Sequence, residues 1–272
     1  MELKKPLEGE IMEVNLNVCK TIAIQHGLPL QFVIKEFHLF NVLSQVVAFA
    51  SQNNRTLVFK GGTALSKVYL GKAQRFSEDI DFDLEADIEK VMHFSKELAG
   101  TLKEYSITEF RKVHNTVQFY CKYDNLLGGK DHIRVDIASK PIITSKPLVQ
   151  KQAVSEFIGS SVSGFYVYDI EDLLARKMNA LSDRAEGKDF YDVYMGLPRC
   201  KQMGNAIASA LKSEKKKETV KEFLQKTIEK VGKADPKKLR NLTNPFIPLA
   251  YRPKDWLELK NDLLLKLEEL EI

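Results

Sequence analysis

The chain has 272 residues, of which 44% are hydrophobic and 29% charged, a composition typical of a globular protein with a substantial core. A net charge of +4 does not by itself indicate a nucleic-acid binder, and neither the three cysteines nor the five histidines show the spacing of a disulfide framework or a zinc site. No uninterrupted run of about 18 apolar residues occurs, and residues 1–13 lack the apolar core of a signal peptide. We therefore expect a cytoplasmic protein with no membrane partner.

The first two thirds of the chain predict a lobe that mixes helices and strands. Apolar residues recur at helical spacing in some segments and alternate with polar residues in others. The predicted elements are, in chain order, helices within 10–52, strand 56–59, helix 63–70, strand 79–84, helix 87–104 and strands 106–110, 116–123 and 132–138.

A glycine pair followed by an acidic strand lies at the centre of this lobe. Gly61 and Gly62 allow the backbone to turn sharply and to approach a ligand closely, and a helix beginning at Thr63 would aim its free N–H groups at a phosphate. Asp79 and Asp81 lie two residues apart and share one face of the strand, where paired carboxylates suit a hard divalent cation. A plain turn and a solvated strand face would explain these features separately. Their combination favours a site for nucleotide phosphates and Mg²⁺.

Two segments of this stretch carry a resemblance to a known family. Residues 60–67 read KGGTALSK and residues 75–81 read RFSEDID. This order of glycine pair, helix and alternating acidic strand resembles the polymerase-beta-like nucleotidyltransferase superfamily, and the fuller text is similar to the AbiEii/AbiGii toxin family with its MenT-type toxins. In such an enzyme the phosphates would be bound by Gly61, Gly62, Thr63, Lys67, Ser77 and Lys177.

A third carboxylate is predicted on the strand at 132–138. Asp136 lies between Val135 and Ile137, so it faces away from the core side that these two apolar residues occupy. If this strand lies beside the first acidic strand, Asp136 completes the cluster; otherwise it is an ordinary exposed residue. The resemblance implies the first arrangement, with two Mg²⁺ held by Asp79, Asp81 and Asp136.

From Asp169 onward the sequence changes to helices. Asp169 is a good N-cap, and Lys177 falls within the apolar stripe of the helix that follows. A lysine on an inward face needs an anion unless it snorkels to solvent, and the resemblance implies that Lys177 contacts the triphosphate. Asp189 lies in a segment that looks like the last motif of the family, where it could orient Lys177 or contact the nucleotide or acceptor. The alternative is a surface ion pair such as Lys188 with Asp192.

The segment 212–240 is basic, with 11 lysines and arginines against 5 acidic residues. Its apolar residues form a helical stripe that leaves the lysines outward. A solvated helix face explains this charge, whereas the functional alternative is a footprint for a phosphate backbone. A last amphipathic helix is predicted from about residue 254.

Together these observations predict an α/β (α+β) protein with a two-lobed nucleotidyltransferase fold. A lobe at 1–168 would hold a mixed sheet with helices, and a helical C-terminal lobe would occupy 169–272. The resemblance implies a toxin of a toxin–antitoxin and phage-defence system, which transfers a nucleotide from an NTP to RNA, specifically the 3′ end of tRNA. It also implies a cognate AbiEi-like antitoxin as partner. The predicted catalytic residues are Asp79, Asp81, Asp136, Lys177 and Asp189.

Two alternatives stay open on the sequence. One is a nucleotidyltransferase that modifies a protein or a small-molecule hydroxyl, which would not need strongly salt-dependent RNA binding. The other is a nucleotide- or RNA-binding module without catalytic activity. The presence of three carboxylates and Lys177 argues against the second alternative.

Overall fold

A computed structural model describes residues 12–270. Residues 1–11 lie outside the described residues, and with them most of the stretch that bears on a signal peptide and the start of the first predicted helix. Within the described range, one seven-stranded sheet has the strand order β3-β4-β5-β2-β1-β7-β6. Its strands are β1 (Val58–Lys60), β2 (Asp79–Leu84), β3 (Phe110–Val113), β4 (Thr116–Asp124), β5 (Lys130–Ser139), β6 (Val149–Ser155) and β7 (Ser160–Val167).

Helices precede, interrupt and follow this sheet. The short helix after β1 continues directly into a π-helical turn at Leu65–Leu70 and a 3-10 turn at Gly71–Ala73. The α-helices are α1 (Leu16–His26), α2 (Leu30–Gln52), α3 (Gly61–Ala64), α4 (Ile88–Thr101), α5 (Ile170–Arg184), α6 (Gly187–Gly196), α7 (Met203–Ser213), α8 (Val220–Gly232), α9 (Pro236–Thr243) and α10 (Trp256–Glu268).

The acidic strand β2 lies at the middle of the sheet. It pairs antiparallel with β1 and parallel with β5, in a register that puts Asp81 opposite Asp136. Ile80 and Phe82 are fully buried on its other face, as strand alternation predicts. The mixed sheet with helices confirms the predicted fold class. The strand of Asp136 lies beside the strand of Asp79 and Asp81, which is the arrangement in which Asp136 completes the carboxylate cluster.

The sequence misplaced one strand and missed two. The strand predicted at 106–110 is wrong: β3 begins at Phe110, and Ser106 forms only an isolated bridge to Lys122. The β6–β7 hairpin was not predicted because its outer face carries polar side chains and a bulge interrupts its register. Yet β7 pairs with β1 in parallel and so borders the strand that leads into the glycine turn.

Helix α2 is long and apolar enough to cross a membrane by length and composition alone, and it is the one helix of this kind among residues 12–270. In the structure 61% of its most apolar window is buried. Phe40 and Leu43 are fully inaccessible, and the helix packs against β7, β5 and α4. This burial pattern is that of a core helix.

The C-terminal helices gather around α5, which packs against α6, α7 and α8. Asp169 caps α5 by accepting a hydrogen bond from the N–H of Glu171 at 3.1 Å, as predicted. Tyr168, just before this cap, donates a hydrogen bond to Asp83 of β2 at 2.6 Å. Both residues belong to the predicted lobe 1–168, so this contact does not test the boundary, and a division of the chain at residue 168 stays a prediction.

Candidate active site

A cleft of about 360 Å³ opens between the glycine turn, the ends of β2 and β5, and helices α5 and α6. It brings together most of the residues that the sequence singled out. Those that line it are Gly61, Gly62, Ser77, Asp79, Asp81, Lys177 and Asp189.

One wall of the cleft is acidic. Asp79 and Asp81 line it, whereas Asp136 of β5 is buried beside Asp81 of β2 and does not line the cleft itself. Gln118 donates a hydrogen bond to Asp136 Oδ2 at 3.1 Å. Arg134 bridges the outer carboxylates, with Nη2 at 2.6 Å from Asp79 Oδ2 and Nε at 3.5 Å from Asp136 Oδ2. The structure therefore brings the three predicted carboxylates together and supplies them with a cation from the protein itself.

Burial opposes the ionisation of all three carboxylates. Burial and repulsion from Asp136 and Asp79 raise the pKa of Asp81 to about 6, against the opposing charge of Lys60. Burial likewise raises the pKa of Asp79 and of Asp136, although Arg134 opposes the shift in both. Asp136 Oδ1 is buried without a hydrogen-bond partner among residues 12–270. A cation bound beside these carboxylates would stabilise their ionised forms and so lower their pKa values.

The donor set fits a hard divalent cation, for which carboxylate oxygens are the preferred ligands. Over the described part of the chain, however, no three acidic, histidine or cysteine side chains already converge as a ligand cluster. Arg134 engages two of the three carboxylates, Asp79 and Asp136.

The two glycines lie where side chains would collide with both walls. Gly61 has a φ of +76°, and a Cβ atom there would lie 2.2 Å from Asp81 Oδ2. A Cβ on Gly62 would lie 2.6 Å from Arg75 Nη2 and 3.3 Å from Lys177 Nζ. The absence of side chains thus lets the turn backbone approach the acidic and the basic groups at once.

The opposite wall is basic and rests on two buried carboxylates. Lys177 Nζ lies 2.8 Å from Asp189 Oδ1 and 3.1 Å from Asp192 Oδ2. Arg75 donates two hydrogen bonds to Asp192, at 2.8 and 2.7 Å. Burial opposes ionisation of Asp189, but Lys177 and Arg184 hold its pKa below the usual range. This network fixes both cations beside the glycine turn.

Because Asp189 contacts Lys177 directly, it is in a position to orient the lysine, which is one of the roles that the sequence suggested. The alternative surface pair of Lys188 with Asp192 is wrong, because Asp192 is fully buried. Lys188 instead contacts Glu78 at 3.1 Å, and its ammonium lies 3.6 Å from the centre of the Phe246 ring.

Two of the remaining predicted residues lie beside each other at the base of the cleft. The Thr63 hydroxyl is buried, lies 2.8 Å from Ser77 Oγ and donates a hydrogen bond to the carbonyl of Asp79. Ser77 lines the cleft, whereas Thr63 does not. Thr63 therefore holds the start of β2 in place and lies behind the residues that a nucleotide would touch.

Lys67 requires a correction. The sequence placed it with the phosphate ligands, but its ammonium is fully buried in an ion pair with Glu36 and contacts Gln74 Oε1 at 2.8 Å. It lies in the π-helical turn, which directs the side chain toward α2 and away from the cleft. Lys67 therefore belongs to the core that joins α2 to this turn.

Sequence reasoning also missed cationic residues that line the cleft. Arg75 stands in the segment that carries the family resemblance, and Arg134 lies two residues before Asp136 on the same strand face, so both had a signal in the sequence. Lys60 opens the segment 60–67 that carries the same resemblance, and Arg184 lies five residues before Asp189 of the last motif, so these two had a signal as well. All four line the cleft.

The fold and this site define a nucleotidyltransferase. A profile described as "Nucleotidyl transferase AbiEii toxin, Type IV TA system" matches residues 43–270. The chain therefore belongs to the AbiEii nucleotidyltransferase toxin family. Membership makes it an enzyme of the toxin–antitoxin type, for which an NTP is the substrate, a divalent metal ion the usual cofactor and an antitoxin the partner.

Solved structures support the same fold. MenT4, a nucleotidyltransferase toxin from Mycobacterium tuberculosis, superposes with a TM-score of 0.64 at 17% identity, over 95% of this chain and 91% of its own. JHP933 from Helicobacter pylori gives a TM-score of 0.53 at 17% identity, over 89% and 92% of the two chains. None of the curated proteins matches the chain in sequence.

Proposed function

We propose that this enzyme is a toxin that transfers a nucleotide from an NTP to RNA, at the 3′ end of tRNA, with Mg²⁺ as the metal. One observation carries the proposal: a carboxylate cluster and a pair of fixed cations face each other across a side-chain-free turn. A nucleoside triphosphate needs these three features, which are a cationic wall, a close backbone and acidic metal ligands.

Each group has a distinct part in the proposed reaction. Arg75 and Lys177 bind the triphosphate and neutralise the charge that develops on the leaving pyrophosphate. Asp136, whose Oδ1 has no described partner, accepts the proton of the attacking hydroxyl. Asp79, Asp81 and Asp136 would hold Mg²⁺, two ions in this proposal, and the metal would supply charge neutralisation at the reacting phosphate.

The acceptor follows from charge outside the cleft. The basic segment 212–240 offers lysines to a polyanion, which a protein or a small-molecule acceptor would not require. We further propose that the toxin acts in the cytoplasm and in phage defence, where an AbiEi-like antitoxin would restrain it.

The test is a labelling experiment. Purified protein is incubated with total tRNA, Mg²⁺ and each labelled NTP in turn, beside Asp81→Asn and the matched control Asp124→Asn, an exposed carboxylate at the end of β4. We expect label on tRNA with the wild type and the control, and a loss of at least about 100-fold with Asp81→Asn. Label on protein alone, or label on tRNA that persists in Asp81→Asn, contradicts the proposal.

A further inference from the structure

A second cavity, of about 740 Å³, adjoins the catalytic cleft. It lies between the connection of α5 to α6 and the connection of α8 to α9. Arg184, Glu186 and Lys188 line both the cleft and this cavity, which we call the α8–α9 groove. A polymeric ligand that lies in the groove can therefore continue directly into the cleft.

The groove carries positive charge that the protein does not neutralise. Lys230, Lys233 and Lys238 line it, and none of them forms an ion pair with any residue between 12 and 270. Its acids are already engaged: Asp235 accepts hydrogen bonds from two N–H groups at the start of α9, and Glu186 lies 3.6 Å from Arg184. The three lysines are thus free to contact an external anion.

The rest of the basic segment behaves differently. Lys216 and Lys226 are paired with Asp183 at 3.0 and 3.5 Å, so part of the excess charge is neutralised within the protein. Lys217 and Lys221 are exposed but line neither the groove nor the cleft. Among the lysines of this segment, which lies wholly within the described residues, only Lys230, Lys233 and Lys238 line the groove.

The groove also has an apolar side and a fixed position. Leu242 lines it and leaves 61% of its side chain exposed, next to the buried Leu239. Gly187, at the start of α6, lies so close to α9 that a Cβ there would be 1.9 Å from Thr243 Oγ1. This contact holds α9 against the helix that carries Asp189, and so the groove keeps its place beside the site.

We infer that the α8–α9 groove binds the acceptor RNA strand. Lys230, Lys233 and Lys238 contact its phosphates, Leu242 packs against an unpaired base, and the 3′ end enters the cleft past Lys188. Charge complementarity favours a polyanion over a protein, because the unpaired groups are all lysines. The inference rests on the proposed function for the direction of the strand, but binding of RNA in the groove can be measured without catalysis.

The experiment compares two triple variants of equal net charge. The groove variant carries Lys230→Gln, Lys233→Gln and Lys238→Gln. The control carries Lys217→Gln, Lys221→Gln and Lys237→Gln, three exposed lysines of the same segment outside the groove. Thermal unfolding verifies that both fold. Fluorescence anisotropy then follows binding of a fluorescein-labelled tRNA transcript between 50 and 300 mM salt, and transfer rates are measured as a function of RNA and of NTP.

We expect the groove variant to bind the transcript roughly 10- to 50-fold more weakly near 0.15 M salt, with a slope of log K against log salt that is less steep by about 2. Its KM for RNA should rise by a similar factor, while kcat and the KM for NTP stay as in the wild type. The control should change by less than about 3-fold, because long-range effects are screened at this ionic strength.

The outcomes separate this inference from the proposed function. If the wild type labels tRNA and both variants bind and react alike, the inference that the groove binds RNA is wrong and the proposed function stands. If the wild type binds the transcript but labels no RNA, and the groove variant alone loses binding, the groove is an RNA-binding site and the proposed function fails. A groove variant that binds the transcript normally but escapes its antitoxin would make the groove a protein interface and overturn the inference.

Discussion

Loss of the Asp192 charge should destabilise the whole protein. This carboxylate is fully buried, accepts both hydrogen bonds from Arg75 and lies 3.1 Å from the ammonium of Lys177. The substitution Asp192→Asn keeps the shape of the side chain but leaves two cations, one of them only 3% exposed, without their shared anion. Removal of one partner from a buried ion pair costs about 3–5 kcal/mol.

The expected cost can be measured in two ways. With an unfolding entropy of about 2.1 cal/mol/K per residue, a loss of about 3–5 kcal/mol in a chain of this length lowers Tm by about 5–9 °C. Differential scanning calorimetry gives this shift, and urea unfolding gives the free energy directly. The double variant Arg75→Met/Asp192→Leu should recover more than about 2 kcal/mol relative to the sum of the two single variants, because it removes the unpaired charge.

Two results would refute this reasoning. If Asp192→Asn lowers the free energy of unfolding by less than about 1 kcal/mol, the contacts of Asp192 with Arg75 and Lys177 contribute no more than a surface pair. If the single variants combine additively in the double variant, Arg75 and Asp192 are not coupled. Either result would also remove the physical basis for two fixed cations beside the glycine turn.

Three further predictions concern other parts of the structure. Gly61→Ala should reduce kcat by about 100-fold or more, because its Cβ would lie 2.2 Å from Asp81 Oδ2 and displace that carboxylate, whereas Gly100→Ala, which meets no atom within 4 Å, is the control. Burial lowers the pKa of His38 to about 4, so its contribution to stability is present above pH 6.5 and is lost as the pH falls toward 4. His38→Phe should flatten this part of the pH–stability curve by up to about 3 kcal/mol, and an unchanged curve would contradict the assignment. Lys67→Met should cost about 3–5 kcal/mol of stability because Glu36 is left buried without its cation, and the double variant Lys67→Met/Glu36→Gln should regain stability while KM for NTP stays unchanged; a rise in that KM would return Lys67 to the nucleotide site.

Local spacing was enough to predict the core of the candidate site. Alternation along β2 and β5 put Asp79, Asp81 and Asp136 on the faces where the structure has them, because neighbouring side chains on a strand point in opposite directions whatever the tertiary context. The glycine pair and the Asp169 cap were readable for the same reason, since both reflect the conformation of a few adjacent residues.

What the sequence by itself determined is therefore the set of chemical groups and the faces on which they lie. Only the tertiary structure decided which groups meet. Local periodicity does not report the parallel pairing of β7 with β1, the direction of Lys67 in a π-helical turn or the reach of Arg134 across to Asp79. The same holds for the α8–α9 groove, which joins Arg184 to Lys233 and Lys238 from distant parts of the chain. Such contacts depend on the packing of whole elements, and packing depends on residues far apart in sequence.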